Sequence, residues 1–128
     1  AMGLYGRMEW GRAAGDSAVA DSTARLIIER YPDMEIAAEA WLALADISAA
    51  AGRPVEAIER LERVARDYPG NRRAAIALKR QGDLYSLELN DPDRALEKYE
   101  SMLAEYPESV LGAEVRSRVR ALRGGLKS

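Results

Sequence analysis

The chain has 128 residues, with 19 Lys and Arg against 21 Asp and Glu, a net charge of −2, and it contains neither cysteine nor histidine. Disulfide and thiolate chemistry are excluded, and the commonest general base and transition-metal ligand is missing. The near balance of charge argues against a nucleic-acid partner, which needs a concentrated basic face, and no stretch approaches the ~20 apolar residues of a direct membrane span.

Residues 1–10 hold glycines, Arg7 and Glu9 instead of a continuous apolar run, so they do not read as a signal peptide. Ala1 before Met2 reads as a remnant of tag removal, and the chain is expected to be a mature domain or a piece of a longer protein. A first helix is expected over 3–14. It is rather apolar for a terminal helix, with Tyr5, Met8 and Trp10. Trp10 either packs on Ile27 or Ile28 or stays exposed as an anchor, and the apolar face hints at missing upstream sequence or at self-association.

From there the chain is punctuated. Tyr31-Pro32, Tyr68-Pro69 and Tyr106-Pro107 recur at Pro spacings of 37 and 38. A charged amphipathic run precedes each pair, and an Ala-rich one comes after it. Proline cannot continue a helix and pushes its predecessor out of the α region, so each Tyr-Pro closes a helix. A second mark, Gly15-Asp16, Gly52-Arg53-Pro54 or Asn90-Asp91-Pro92, lies between the two helices of each unit. Gly and Asn suit the left-handed residue past a helix end, Pro the first helical position, and Asp91 an N-cap. Helices are therefore expected over 17–31, 35–51, 54–68, 72–89, 92–106 and 109–123, about seven in all. Val55, Ile58, Leu61, Val64 and Ala65 form one apolar stripe, and Ala95, Leu96, Tyr99, Met102 and Leu103 another. Such helices are marginal alone and need neighbours to cover the stripe.

Catalytic motifs are missing. No Ser sits in a Gly-x-Ser-x-Gly turn, and residues 11–15 (GRAAG) lack the Lys-Ser/Thr ending of a phosphate cradle. Asp91-Pro-Asp93 lacks the other ligands of a Ca²⁺ loop and reads as helix capping. Glu97 with Glu100 reads as a solvated helix face, and Glu59 with Arg63 as an i,i+4 pair. The chain is read as no enzyme, with no cofactor and no metal.

These residues resemble the tetratricopeptide repeat. One unit carries Trp41, Leu44, Ala45, Ala57, Leu61 and Pro69. The next carries Leu78, Gly82, Tyr85, Ala95, Tyr99 and Pro107, and a degenerate first carries Leu4, Met8, Ala20 and Pro32. The resemblance implies an all-α, right-handed superhelix of antiparallel helix hairpins, as one domain over 1–128. Its repeats would span approximately 3–32, 35–69 and 72–107, with a closing helix over 109–123. It implies that Ala45, Gly82, Ala57 and Ala95 let paired helices approach, while Trp41, Tyr85 and Tyr99 fill space against the next repeat. The 37–38 period and the segments RYPDMEIAAEAWLALAD and EYPESVLGAEV are similar to envelope-type members, the outer-membrane assembly lipoproteins and Tol-Pal coordinators. A periplasmic or outer-membrane-associated location in a bacterium is expected first, a cytoplasmic one second.

The same resemblance implies a concave groove for a protein or peptide partner, lined by Tyr5, Glu9, Arg12, Glu39, Leu42, Ala43, Asp46, Ala50, Lys79, Arg80, Asp83, Leu87, Ser117, Arg118 and Ala121. Lys79, Arg80 and Arg118 could gather into a basic end that attracts a carboxylate, an acidic segment or a chain terminus. The competing reading, ordinary solvated charges, stays open. Asp46 and Asp83 stand where a chaperone-tail clamp would need Asn, so that ligand is not expected. The reading is a non-catalytic scaffold in a cell-envelope complex. The alternative is a structural module that self-associates through its terminal helices into a homo-oligomer.

Overall fold

A computed structural model describes residues 17–70 and 72–127, all helices and turns. The expected helix over 3–14, with Trp10 and the groove candidates Tyr5, Glu9 and Arg12, lies outside the described residues. Six helices are present among them: α1 (Ser17–Arg30), α2 (Glu35–Ala50), α3 (Pro54–Asp67), α4 (Arg72–Asp83), α5 (Pro92–Glu105) and α6 (Gly112–Lys127), with a π-helical turn, Leu84–Glu88, running on from α4. Contacts divide the chain into two compact units, Ala1–Val64 and Ala65–Ser128.

In the first unit, Ala24 and Ile27 of α1 pack against Ala40, Ala43 and Leu44 of α2, flanked by Ile28, Ile36, Trp41 and Ile47. Ile27 thus belongs to this core. Alanines 37, 38, 40 and 43 have no exposed surface. Their small side chains let neighbouring helices approach α2 on several sides. α2 ends where Gly52 takes φ 77°. The Gly52 N–H donates to Ala49 O at 3.1 Å and the Arg53 N–H to Ser48 O at 2.9 Å, which satisfies carbonyls the helix leaves open. Arg60 of α3 reaches back to the same helix end. Its Nη1 donates to Leu44 O at 2.9 Å and to Ser48 Oγ at 2.8 Å. Ser48, fully buried, donates in turn to Glu56 Oε2 at 2.9 Å. Arg63 lies over the Trp41 ring, 5.0 Å from its centre, where a cation meets the negative π face.

In the second unit, Ala75 and Leu78 of α4, Ala95, Tyr99 and Met102 of α5, and Val115 and Val119 of α6 form one core. Asp91 caps α5, its Oδ1 accepting the Arg94 N–H at 3.2 Å, with Pro92 in the first helical position. Asn90 takes the left-handed place, φ 49°, that Gly52 holds in the first unit. α6 starts later than the proline rule suggests. Ser109 forms a turn first, receiving the Gly112 N–H at 3.0 Å on its carbonyl and the Leu111 N–H at 3.2 Å on its hydroxyl. α6 then runs on through Gly124 and Gly125.

Tyr99 shares its core with Val115 and Val119 of the following helix, and it also serves its own hairpin. Its ring lies on Gly82 within its own hairpin. A Cβ at Gly82 would fall 2.6 Å from Tyr99 Cδ1 and 2.8 Å from Cζ. Gly82 makes room for the ring on the α4 side.

The π turn explains the unequal period. Pro32 to Gly52 is 20 positions and Pro69 to Asn90 is 21, whereas Gly52 to Pro69 and Asn90 to Pro107 are both 17. The extra residue lies in the first helix of the second hairpin. It is absorbed at Leu84–Glu88, where the Leu89 N–H reaches Leu84 O at 3.0 Å and the Asp91 N–H reaches Tyr85 O at 2.8 Å. A wider ring holds one more residue per turn without rotating the residues beyond it. Deleting Leu87, 69% exposed, should turn this segment into plain α-helix. We expect thermal unfolding monitored by circular dichroism to place the deletion variant within about 1 kcal/mol of the parent. Deleting the buried Gln81 should instead abolish cooperative unfolding, because it rotates core positions off their face. Equal damage from both deletions would contradict the insertion account.

Candidate functional site

In the second unit the chain assembles a charged cluster on α4 and α6, with Tyr99 of α5 beneath it. Lys79 and Asp83 stand one turn apart on α4, and Glu114 and Arg118 one turn apart on α6. Lys79 Nζ lies 2.9 Å from Asp83 Oδ2 and 3.5 Å from Glu114 Oε1. Arg118 Nη2 donates to Glu114 Oε1 at 3.0 Å, and Arg118 Nε lies 3.6 Å from Asp83 Oδ1. The Tyr99 hydroxyl donates to Asp83 Oδ1. Arg118 Nε is buried with no hydrogen-bond partner among the described residues.

Exposure differs among the members and sets their roles. The side chains of Lys79 and Asp83 are 16% and 21% exposed, Arg118 is 37% and Glu114 is 48%. Asp83 is therefore the inner anion, clamped by two cations and a phenol, and Glu114 the outer one. The hydrogen bond from Arg118, and then the Lys79 charge, hold the Glu114 carboxyl below the usual range. Burial, then the hydrogen bond to Asp83, pushes the Tyr99 phenol up. In the first unit the Ser48 hydrogen bond, then Arg60 and Arg53, hold Glu56 low as well.

These shifts give stability a two-sided pH dependence. Glu56 and Glu114 have folded pKa values below the ordinary carboxylate value of about 4.5. As pH falls through 4.5 the unfolded chain takes up protons that the folded chain refuses, so stability falls with falling pH. Tyr99 has a folded pKa above the ordinary phenol value of about 10. Above pH 10 the unfolded chain releases a proton that the folded chain keeps, so stability falls again. Urea denaturation from pH 3 to 11 should show a plateau between these limits, and Tyr99→Phe should flatten only the alkaline side.

The structure thus brings together three of the expected groove residues, Lys79, Asp83 and Arg118. Asp83 and Glu114 offset the charges of Lys79 and Arg118 within this cluster. Arg80 is half-buried on α4, Leu87 is 69% exposed on the π turn, and Ser117 and Ala121 are exposed on α6. In the first unit Glu39 and Asp46 are half-buried on α2 and Ala50 is exposed. Leu42, only 3% exposed, and Ala43, fully buried, are core residues with no surface for a guest.

Glu114 and Tyr99 escape the sequence reading as members of a site. The i,i+4 spacing of Glu114 and Arg118 is a usable signal for the first. For the second, the signal is that a buried tyrosine hydroxyl needs a partner. Tyr106 is missed in the same way. Its hydroxyl accepts the Gly70 N–H at 3.0 Å, beside a cleft of about 560 Å³ whose apolar wall includes Ala75, Ile76, Pro107, Val110 and Leu111.

Paired helices with small residues at their crossings, and a further helix carrying a charge cluster, define a helical-hairpin repeat protein. Two profiles, each described as tetratricopeptide repeat, match residues 38–80 and 74–109. Together they span 38–109, more than half of the chain, and the chain belongs to the tetratricopeptide repeat family. No curated protein matches it significantly. Repeats of this family generally mediate protein–protein interaction, and no described helix is long and apolar enough to cross a membrane.

Proposed function

We propose that the protein is a non-catalytic scaffold that holds a segment of a partner protein against the first helices of its hairpins. An acidic segment or a chain terminus is the guest that suits the second unit. The observation that carries this reading is the position of Glu114. It bridges Lys79 and Arg118 from the outer side of the cluster while 48% exposed. A guest carboxylate can take its place between the two cations and leave Asp83, the inner anion, undisturbed. The exchange replaces one charge-assisted pair by another, so the net gain is modest and depends on further contacts along the guest. Arg80 and Leu87, on the same helix run, are the residues we assign to those contacts. Glu39 and Asp46 on α2 are the corresponding candidates of the first unit. The cell-envelope setting in a bacterium, periplasmic or outer-membrane-associated, rests on the 37–38 period and the Tyr-Pro-Asp and Tyr-Pro-Glu endings. Fractionation of the producing cells tests that location.

Calorimetric titration with short peptides, one series ending in acidic residues and one in basic residues, tests the site. The acidic series should bind more tightly. Glu114→Gln should strengthen its binding several-fold by removing the internal competitor, and Lys79→Met with Arg118→Met should abolish it. Acidic-peptide binding indifferent to all three changes would remove the site and leave the fold intact.

A further inference from the structure

The cleft beside Tyr106 and the charge cluster around Asp83 lie in line. On α4, Ile76 borders the cleft, and Lys79 and Asp83 follow it at steps of three and four, which sets them in one row along the helix. Across from them Leu111 borders the cleft, and Glu114 and Arg118 follow it at the same two steps. The Leu111 carbonyl accepts the Val115 N–H at 3.0 Å, so it stands at the entry to α6. Lys79 with Glu114 and Asp83 with Arg118 bridge the two rows. One turn away from these bridges, the rows part over the cleft of about 560 Å³.

The cleft is preformed. The hydrogen bond from the Gly70 N–H to the Tyr106 hydroxyl, 3.0 Å long, ties the turn before α4 to the end of α5, and both residues border it. Its volume falls within the ~300–1,000 Å³ of ligand clefts. Val110, at its border, is 96% exposed. At the same place, three residues past the proline, the other two turns carry Glu35 and Arg72. An apolar side chain thus stands uncovered here where the repeat otherwise has a charge. Glu105 and Glu108, both exposed, border the cleft against one cation, Arg72. The cleft therefore suits an uncharged apolar side chain and disfavours a carboxylate, the reverse of the seat between Lys79 and Arg118.

We propose that the cleft takes an apolar side chain of the guest segment, two positions along from the guest carboxylate held by Lys79 and Arg118, an assignment that rests on the scaffold reading above. The spacing follows from helix and strand geometry. Ala75, in the cleft wall, and Lys79 are four residues apart, about 6 Å along α4. An extended guest covers about 7 Å in two residues and points both side chains to the same side. The guest is therefore a partner segment with one acidic and one leucine-sized residue on either side of a single spacer. A run of acidic residues fits less well, because it sets a carboxylate beside Glu105 and Glu108.

Calorimetric titration with short peptides blocked at both ends, each a Gly-Ser background with a single Glu, tests the spacing. A Leu two positions from the Glu should tighten binding by about tenfold over the peptide without Leu. Leu beside the Glu should lose that gain, because it then points away from the cleft, and a second Glu in place of the Leu should bring none. Val110→Asp sets a carboxylate at the border of the cleft and should cancel the gain, whereas Val110→Met should keep it. Both variants should retain the parent's helical circular dichroism, since Val110 is so exposed. A gain that is absent, that ignores the spacing, or that survives Val110→Asp would overturn the cleft assignment and leave the charge site standing. Failure of every Glu peptide to bind, with or without Leu, would overturn both.

Discussion

Gly82→Ala should lower stability by about 1–3 kcal/mol although alanine is the better helix former. In a free helix the change gains up to ~1 kcal/mol. Here the new methyl would meet the Tyr99 ring, with Cδ1 at 2.6 Å and Cζ at 2.8 Å. Tyr99 is 1% exposed, and its hydroxyl is tied to Asp83, so the ring has little room to move. The first hairpin supplies the control, because Ala45 and Leu61 stand there in place of Gly82 and Tyr99. Gly82→Ala combined with Tyr99→Leu should be more stable than the sum of the single changes allows. A double-mutant cycle in urea measures this coupling, expected at about 1–2 kcal/mol in favour of the pair. A cycle with zero coupling would mean that the glycine serves some purpose other than admitting the ring.

Asp83→Ala is expected to cost about 2–3 kcal/mol, chiefly through the groups it leaves without partners. The change strands the Tyr99 hydroxyl, leaves Lys79 with only the 3.5 Å contact to Glu114, and removes the carboxylate facing Arg118 Nε. Asp83 is 21% exposed, so water relieves part of the loss and the full penalty of a buried broken ion pair does not apply. Asp83→Asn should recover part of the stability, since its amide oxygen can still accept from Tyr99, but without the ionic part. Tyr99→Phe in the Asp83→Ala background should then cost less than in the parent, because its hydroxyl no longer has a carboxylate to meet. Equal costs in both backgrounds would show that the phenol and Asp83 are energetically independent.

Helix ends are legible in the sequence because proline, glycine and asparagine act locally. Tyr-Pro closes α1, α3 and α5 within a residue or two of the expected ends. Gly52 and Asn90 adopt the positive φ that their residue types favour. The small residues at helix crossings are legible too, but which ring they receive is not, since that depends on how α4 and α5 face each other. The site is legible only in half. Lys79, Asp83 and Arg118 are found by their place in the repeat, yet their charge state as a group depends on Glu114, which the repeat pattern does not single out. Leu42 shows the opposite error. Its position in the repeat suggests an open face, but α2 is so densely flanked that half of its residues are buried. The π turn leaves a trace in the sequence as one unit of period, and only backbone hydrogen bonds place it.

The wide turn after α4 also bears on how such arrays change over generations. Lengthening an ordinary helix by one position swings every later side chain by roughly 100°. At Leu84–Glu88 the surplus is taken up within five residues, and Asp91, Pro92 and Ala95 keep the same stations as Arg53, Pro54 and Ala57. A hairpin can therefore take one further residue at this joint with its internal packing preserved.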